Sequence, residues 1–217
     1  MPLSLTPLPK LSAGNLRRTL PRSFFDRDPR VVSRDLLGKL LVRRAGRRFL
    51  VGRIVELEAY LGSDDPAAHA YVGRTARNAV LFGPPGYAYV YFIYGNHYCL
   101  NVSCLPDGTP GGILFRALEP LAGIETMAQA RQVEIKAPAD LRRLTRGPGR
   151  LSEAFGITRD RDNAKDLTST RSDLYIADDG LRPDRILTTR RIGITKAAHL
   201  PMRYIIAGNP FVSGPRS

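Results

Sequence analysis

Two glutamates and a tyrosine are predicted to lie side by side on one face of a β-strand. Residues 53–60 alternate with the period of two that is typical of a strand, which places Glu56, Glu58 and Tyr60 on the same face. Glutamate is depleted in strands, so two of them on one face need an explanation. A carboxylate beside an aromatic ring is a suitable general base for water. The alternative is a polar edge that faces solvent, or a partner for a buried arginine.

An arginine within an apolar segment is a plausible partner for these carboxylates. Arg116 is flanked by apolar residues in the predicted strand 113–118, so we expect it to be partly buried. A buried guanidinium requires a carboxylate, and Glu56 and Glu58 are the candidates. The alternative interpretation is a purely structural ion pair.

Tyrosines are concentrated in one segment of the chain. Residues 87–98 contain five of the nine tyrosines, and their alternation predicts a strand that ends in a tight hairpin turn at Gly95 and Asn96. Tyr94 is expected close to the tip of this hairpin. Aromatic rings that carry hydroxyls suit stacking on bases, and an aromatic at a turn can enter a base stack. The alternative is an ordinary half-buried strand, because tyrosine is a good strand former.

The chain carries a large positive charge. Its 217 residues include 33 lysines and arginines against 20 acidic residues, a formal net charge of +13. Such a charge indicates a polyanionic partner, either nucleic acid or an anionic membrane surface. No apolar run reaches the ~18 residues of a membrane span, which favours nucleic acid. Four arginines within residues 142–150 suit a phosphate backbone, although a solvated charged surface explains them equally well.

The cysteines and histidines do not indicate a metal site. Cys99 and Cys104 are the only cysteines and lack zinc-site spacing, which fits a reducing cytosol. His69 follows Asp64 and Asp65, but three candidate ligands without a second histidine or a cysteine cluster are a weak metal signal. We therefore expect no metal, and a lone histidine is most often structural.

The order of strands and turns predicts an α+β domain with a curved, mostly antiparallel sheet. Predicted strands, including 186–194 and 204–207, outnumber long helices, and the alternation of a doubly wound sheet is missing. Residues 1–20 carry three prolines, three basic residues and no acid, so we expect a basic, flexible N-terminal arm. Residues 21–217 are predicted to form a single domain.

Taken together, these motifs resemble those of the alkyladenine-type 3-methyladenine DNA glycosylases. The order and spacing fit from about residue 24 to residue 213, nearly all of the predicted domain. No single segment is specific, but their combination is. The matching segments are residues 53–62, 67–69, 77–78, 89–95, 101–103, 114–120 and 147–148.

The resemblance implies a monomeric enzyme that excises damaged purines from double-stranded DNA without a cofactor. It also implies a cytoplasmic location at the bacterial nucleoid. By position, Glu58 resembles the carboxylate that activates water, and Arg116 and the backbone carbonyl of Ile206 resemble the groups that hold this water. Tyr94, on the tyrosine-rich hairpin, resembles the wedge that fills the space left by the flipped nucleotide.

The resemblance further assigns a base pocket and contacts to the DNA backbone. One tyrosine ring of the pocket is expected to stack on the flipped base, while Asn101 is expected to crowd the exocyclic amine of normal guanine. The pocket residues are Tyr60, Ala68, His69, Tyr91, Asn101 and Leu114. The backbone contacts are Arg74, Arg77, Arg146 and Arg150. No lysine lies near the motifs to form a Schiff base, so we expect no lyase step.

The sequence leaves several questions open. Asn96 and His97 follow the expected wedge where apolar residues are typical of the family, and Val72 stands where glycine or arginine is common. The lesion could be 3-methyladenine, 7-methylguanine, hypoxanthine or ethenoadenine. One alternative function is a non-catalytic basic nucleic-acid-binding module, which does not explain the two glutamates and the arginine. Another is a carbohydrate hydrolase that uses Glu56 and Glu58, against which the net charge argues.

Overall fold

An antiparallel sheet of eight strands organises the chain. The structure, a computed structural model, describes residues 12–93 and 95–214. The strands are β1 (Leu40–Ala45), β2 (Arg48–Tyr60), β3 (Ala88–Ile93), β4 (His97–Ser103), β5 (Gly112–Ala122), β6 (Leu174–Ala177), β7 (Ile186–Thr189) and β8 (Arg203–Ile206). Every strand pair is antiparallel, and helices surround the sheet, so the predicted α+β class is confirmed.

The helices are short. The α-helices are α1 (Ala13–Arg17), α2 (Arg22–Phe25), α3 (Pro29–Leu36), α4 (Ile124–Ala130), α5 (Arg142–Thr145), α6 (Pro148–Ala154) and α7 (Arg159–Asp162). Single-turn 3₁₀ helices cover Gly62–Asp64, His69–Val72, Ala79–Phe82 and Pro138–Leu141. Within the described ranges, no helix is both long enough and apolar enough to cross a membrane.

The strand β2 is the centre of the fold. The main path of the sheet runs β3-β4-β5-β2-β1-β6, and β8 lies outside this path and pairs with β2 and β7. β2 pairs with β5 on one side along most of its length. On its other side it pairs first with β1, through residues 48–53, and then with β8, through residues 56–58. The two glutamates therefore lie where β2 exchanges one neighbour for another.

A β-bulge in β2 changes which side chains face the core. The register of β2 against β5 shifts between Ile54 and Glu56. Ile54 consequently packs in the main core with Leu57 and Ala59, whereas Val55 packs in a separate cluster. Strict alternation of residues 53–60 predicts Ile54 on the face of the glutamates and Val55 on the face of Leu57 and Ala59. This prediction is wrong for both residues, because a bulge adds one unpaired residue to the alternation.

The helix α3 covers the core face of the sheet. It begins at Pro29, and the preceding Asp28 caps it by accepting a hydrogen bond from the Arg30 N–H at 2.7 Å. Val32 and Leu36 are fully buried in the main core. The helix ends before Gly38, whose positive φ of 86° reverses the chain into β1.

The tyrosine-rich segment forms the predicted hairpin of β3 and β4. Tyr89 pairs with Asn101 and Tyr91 pairs with Cys99, so the hairpin aligns these four residues in two adjacent rows. Tyr94, the predicted wedge, lies outside the described residues. β4 of this hairpin pairs with β5, and β5 pairs with β2, so the tyrosines of the hairpin belong to the same sheet as the two glutamates.

Part of the segment predicted to be a flexible arm belongs to the folded domain. Leu16 packs against a core cluster of β1 and β6, and Leu20 is buried in the main core. Thr19 forms a β-bridge with Ala177. The expectation of a flexible arm does not hold for residues 12–20, because their apolar side chains cover the outer edge of the sheet. Residues 1–11 lie outside the described residues.

Candidate active site

A cavity of about 540 Å³ opens beside the second half of β2. Its walls come from the end of β2, the turn at His69–Val72, the hairpin of β3 and β4, and β5. The N-terminal residues of α6 and the loop of residues 192–194 complete its rim. All six residues predicted for a base pocket line this cavity, namely Tyr60, Ala68, His69, Tyr91, Asn101 and Leu114. A volume of this size accommodates one drug-sized or base-sized group.

Glu58 is buried directly behind the cavity floor. Its side chain is 0% exposed, and its Oε1 accepts the Ile192 N–H at 2.8 Å and faces Arg116 Nη1 at 3.1 Å. Its Oε2 accepts the Tyr60 hydroxyl at 2.9 Å. Tyr60, Arg116 and Ile192 all line the cavity, so the carboxylate is separated from it only by its own hydrogen-bond partners.

The buried position of Glu58 changes its acidity. Burial raises the pKa of Glu58 above its usual range, and Arg116, the Ile192 N–H and the Tyr60 hydroxyl act in the opposite direction without cancelling the effect. Burial also raises the pKa of Tyr60, and the adjacent carboxylate adds to this effect. The hydroxyl therefore stays protonated and donates a hydrogen bond to Glu58. The arrangement is that of a carboxylate prepared to accept a proton.

Glu56 has a different environment from Glu58. Its Oε1 accepts hydrogen bonds from Arg116 Nε at 2.9 Å, Arg203 Nε at 2.7 Å and Ser213 Oγ at 3.0 Å. Its Oε2 accepts the Ser213 N–H at 2.5 Å. The side chain is 0% exposed and does not line the cavity. Glu56 therefore anchors the two arginines and the C-terminal segment, and Arg116 bridges it to Glu58.

Aromatic side chains form one wall of the cavity. The rings of His69 and Tyr91 meet edge to face with centroids 4.4 Å apart. His69 Nδ1 lies 2.9 Å from the Tyr89 hydroxyl, and burial lowers the pKa of His69 with a further contribution from Arg77. His69 is therefore neutral at neutral pH, and the hydroxyl of Tyr89 fixes the orientation of its ring.

The amide of Asn101 is fixed at the edge of the cavity. Its Nδ2 donates to the Tyr89 carbonyl at 3.1 Å, and the residue is buried. Because the NH₂ group is held by the backbone, the remaining face of the amide is the part available to a group in the cavity. Leu114 pairs with Asn101 across β4 and β5 and supplies the apolar surface beside it.

The predicted role of the Ile206 carbonyl does not fit its position. Ile206 does not line the cavity, and its carbonyl accepts the Asn209 N–H at 3.3 Å. The residue beside Glu58 is instead Ile192, whose N–H binds the carboxylate and whose carbonyl lies 3.5 Å from Arg116 Nη1. The sequence analysis missed Ile192 because it extended a strand over 186–194, whereas β7 ends at Thr189 and a loop follows. Two consecutive arginines before Ile192 and a glycine after it were the available signal for this loop.

The four arginines predicted to contact the DNA backbone differ in exposure and in their contacts. Arg150 lines the cavity and is exposed, as are Arg74 and Arg77 near His69. The Arg77 guanidinium lies 5.7 Å from the centroid of the Tyr91 ring. Arg146 is less available, because its Nε donates to the Val212 carbonyl at 2.7 Å. Arg74, Arg77 and Arg150 are thus exposed to solvent, whereas Arg146 is only partly exposed.

The described residues offer no evident metal site. No group of three or more histidine, cysteine, aspartate or glutamate side chains within residues 12–93 and 95–214 could hold a metal ion. Cys99 lines the cavity and Cys104 is fully buried, and both are free thiols.

Comparison with known proteins gives a consistent result over most of the chain. A family model described as methylpurine-DNA glycosylase matches residues 23–210. A protein of Koribacter versatilis named "Putative 3-methyladenine DNA glycosylase" is 66% identical over 209 residues, which cover 96% of this chain and 99% of that protein. Proteins with the same name from Burkholderia lata and Methanoculleus marisnigri are 50% and 45% identical, over 90% of this chain and 91% and 98% of their own lengths.

Proposed function

This chain belongs to the methylpurine-DNA glycosylase family, and we propose that it flips damaged purines out of duplex DNA and hydrolyses their N-glycosidic bonds with a water molecule that Glu58 activates. Family membership makes it a DNA glycosylase, a hydrolase of N-glycosyl bonds. The observation that carries the mechanism is the buried Glu58 carboxylate, held by Arg116, Ile192 and Tyr60 behind an aromatic cavity.

The cavity supports the capture of a flipped base. A base inside a duplex is inaccessible, so the nucleotide must rotate out of the stack at a cost of a few kcal/mol, which is lowest for a damaged or mispaired base. Stacking on Tyr60 or Tyr91 returns on the order of 1–3 kcal/mol per base. A cationic alkylated purine gains an additional cation–π attraction from these rings. We propose that Asn101 excludes normal guanine by crowding its exocyclic amine.

The chemical step requires stabilisation of a developing positive charge on the sugar. As the C1′–N bond breaks, its electron pair leaves with the base and the sugar acquires oxocarbenium character, as in glycoside hydrolysis. The carboxylate of Glu58 stabilises this charge and accepts a proton from the water that attacks C1′. The Arg116 guanidinium and the Ile192 carbonyl are the other polar groups at the cavity floor, and we propose that they hold this water.

The leaving base determines how much further help is needed. A cationic base such as 3-methyladenine departs as a neutral molecule, whereas hypoxanthine must receive a proton or strong hydrogen bonds. The described residues that line the cavity include no lysine, so an amine that could form a Schiff base with the sugar is missing from this lining. We therefore propose a monofunctional glycosylase whose product is an abasic site.

The position of Glu56 argues against the alternative of a carbohydrate hydrolase. That reaction uses two carboxylates on either side of the scissile bond. Glu56 is fully occupied by Arg116, Arg203 and Ser213 and does not reach the cavity. Neither carboxylate lines the cavity itself, but the three hydrogen-bond partners of Glu58, namely Tyr60, Arg116 and Ile192, all do, which favours a water-activating role for Glu58.

The proposed function is tested by base release under single-turnover conditions. Labelled duplexes that each carry one hypoxanthine or one ethenoadenine are incubated with excess enzyme, and alkylated DNA is assayed in parallel for free 3-methyladenine and 7-methylguanine. We expect base release from at least one of these substrates, with strand breaks only after alkali. Intact binding without release of any base would leave a nucleic-acid-binding module, and breaks without alkali would contradict the monofunctional assignment.

Replacing Tyr60 with phenylalanine is expected to shift the pH profile of base release. The change keeps the stacking ring but removes the hydroxyl that lowers the pKa of Glu58, so this pKa rises further. Because the carboxylate must be deprotonated to act as a base, the acid limb of the profile moves to higher pH, and the rate at neutral pH falls by roughly three- to tenfold. Tyr89→Phe is the matched control, since its hydroxyl meets His69 rather than Glu58. An acid limb that does not move in Tyr60→Phe would contradict the role of Glu58 as the base.

Arg150→Gln is expected to weaken DNA binding in a salt-dependent way. If Arg150 contacts one phosphate, its loss reduces the slope of log affinity against log salt by about 0.9 and affects intact and damaged duplexes alike. Arg47→Gln is the matched control, because this exposed arginine precedes β2 and lies about 30 Å along the strand from Glu58. Equal slopes for the two variants in binding titrations would exclude a contact of Arg150 with the DNA backbone.

A further inference from the structure

We propose that the buried ion pair of Asp65 and Arg191 is a positioning pair, which holds the loop that carries Ile192 in contact with Glu58 and keeps Tyr60 at the cavity wall. The inference rests on the proposed function, because it assigns these residues to the assembly of the water-activating site. Neither residue lines the cavity, so neither is expected to touch the substrate.

The geometry of the pair is that of a bidentate clamp. Arg191 Nη1 lies 2.5 Å from Asp65 Oδ2, and Arg191 Nη2 lies 2.9 Å from Asp65 Oδ1. Both side chains are 0% exposed. A planar guanidinium that binds a carboxylate through two parallel hydrogen bonds fixes the relative orientation of the two chain segments.

The arginine reaches the end of β2 as well. Its Nη1 also donates to the Ala59 carbonyl at 3.1 Å, and its guanidinium carbon lies 4.6 Å from the centroid of the Tyr60 ring. Because Arg191 is buried while Tyr60 lines the cavity, the guanidinium supports the ring from the side away from the cavity. Arg191 therefore contacts both Tyr60, whose hydroxyl binds Glu58 Oε2, and Ala59, the residue before it.

The aspartate organises the opposite wall. Its carboxylate accepts the N–H groups of Leu61 at 3.3 Å and Ala67 at 3.1 Å, which closes the turn between Tyr60 and His69. Gly62 makes this turn possible, because a Cβ there would come within 1.8 Å of the Pro110 carbonyl oxygen. The ion pair thus joins three elements of the site: the end of β2, the turn that leads to His69, and the loop that leads to Ile192.

The loop of Ile192 carries one fully buried side chain, that of Arg191. Within residues 180–201, all of them described, Arg191 is the one buried residue. Ile192 is the next residue along the chain, and it donates its N–H to Glu58 and presents its carbonyl to Arg116. Ile186, Leu187 and Leu200 of this stretch pack on the core only as partly buried side chains. Because Arg191 is the buried side chain next to Ile192, loss of its ion pair is expected to release Ile192 from Glu58.

The test compares Asp65→Asn with a control from a second buried ion pair. Arg43 and Asp162 form a bidentate pair with distances of 2.8 and 2.7 Å and with 1% and 0% exposure, and Asp162 also accepts a backbone N–H from Thr158. This pair does not line the cavity. Asp162→Asn therefore removes a bidentate buried pair without disturbing the loop of Ile192, while Arg43 keeps Asp173 at 3.2 Å.

We expect both variants to lose thermal stability but only one to lose catalysis. In Asp65→Asn the single-turnover rate of base release falls at least tenfold at saturating enzyme, while the affinity for a lesion-containing duplex changes by less than threefold. Its acid limb also moves to higher pH, since the Ile192 N–H no longer lowers the pKa of Glu58, although Arg116, Glu56 and Tyr60 still face the carboxylate. Asp162→Asn keeps the wild-type rate and pH profile. Rates for the two variants that agree within twofold would overturn the proposal.

A second variant covers the case in which Asp65→Asn does not fold. Arg191→Lys retains the charge but cannot form the two parallel hydrogen bonds, so we expect a smaller loss of base release with the same shift of the acid limb. A wild-type rate and profile in this variant would equally overturn the proposal. Failure of the wild-type enzyme itself to release any base would instead refute the proposed function, so the two failures are distinguishable.

Discussion

Glu58→Gln is expected to lower the single-turnover rate of base release by about 10³-fold or more, while the affinity for lesion-containing duplex stays close to that of the wild type. General-base catalysis alone typically contributes 10²–10⁴-fold, and the same carboxylate is proposed to stabilise the oxocarbenium charge. Glutamine keeps the shape of the side chain and can still contact Tyr60, Arg116 or Ile192, but it neither accepts the proton nor carries the charge. We propose that binding uses the arginines and aromatic rings of the cavity, which this change leaves in place.

The same substitution is expected to leave the stability of the fold unchanged or to increase it, although it lowers the rate of base release. Burial raises the pKa of Glu58, so its charged form is less stable in the folded chain than in the unfolded chain. Stability is therefore lost as the pH rises from the ordinary glutamate range through the raised pKa, and glutamine removes this loss. At neutral pH we expect a melting temperature for Glu58→Gln equal to or above that of the wild type.

Both readouts come from one preparation of each protein. Base release by gel assay, duplex affinity by fluorescence anisotropy and thermal unfolding by circular dichroism are measured for wild type and variant. A fall in rate accompanied by a large fall in melting temperature would mean that Glu58 supports the fold rather than the reaction. Residual activity above about a tenth of the wild type would exclude Glu58 as the general base.

The sequence predicted the location of the site better than its internal contacts. The period of two in β2 correctly placed Glu56, Glu58 and Tyr60 near one another, because alternation is a local property of a strand. It could not reveal the bulge at Val55 or the roles of the two carboxylates. Glu56 is distinguished from Glu58 by Arg203 and Ser213, which lie 147 and 157 residues further along the chain.

Positions that depend on loops were the hardest to predict. The pocket residues Ala68 and Leu114 came from the family resemblance, since no periodicity marks an alanine in a turn as a cavity wall. Ile206 lies outside the cavity lining and Ile192 was missed, because a loop and a strand of apolar residues share the same composition over a few positions. The partner of Asp65 was equally invisible, since Arg191 lies 126 residues away and only the folded chain brings them together.

Glu56→Gln is expected to destabilise the fold by about 3–5 kcal/mol, the largest stability effect that we predict for a single substitution in this protein. Glu56 is 0% exposed and neutralises two buried guanidiniums, those of Arg116 and Arg203. Removing one partner of such a network leaves an uncompensated buried charge, which is the costly case for buried ion pairs. For a chain of this size the corresponding fall in melting temperature is on the order of 10 °C.

The pair of variants separates two neighbouring carboxylates by function. At a temperature where it remains folded, Glu56→Gln keeps part of its base release, because Arg116 still contacts Glu58 and the general base is intact. Glu58→Gln, in contrast, is expected to keep its melting temperature and to lose base release. A melting temperature for Glu56→Gln within about 2 °C of the wild type would show that Arg203, through Thr189 and the Ser213 carbonyl, and Arg116, through Glu58, are sufficiently paired without Glu56. Arg116 would then be held through Glu58 alone. The Glu58 carboxylate would have to position the Arg116 guanidinium and also accept the proton from water.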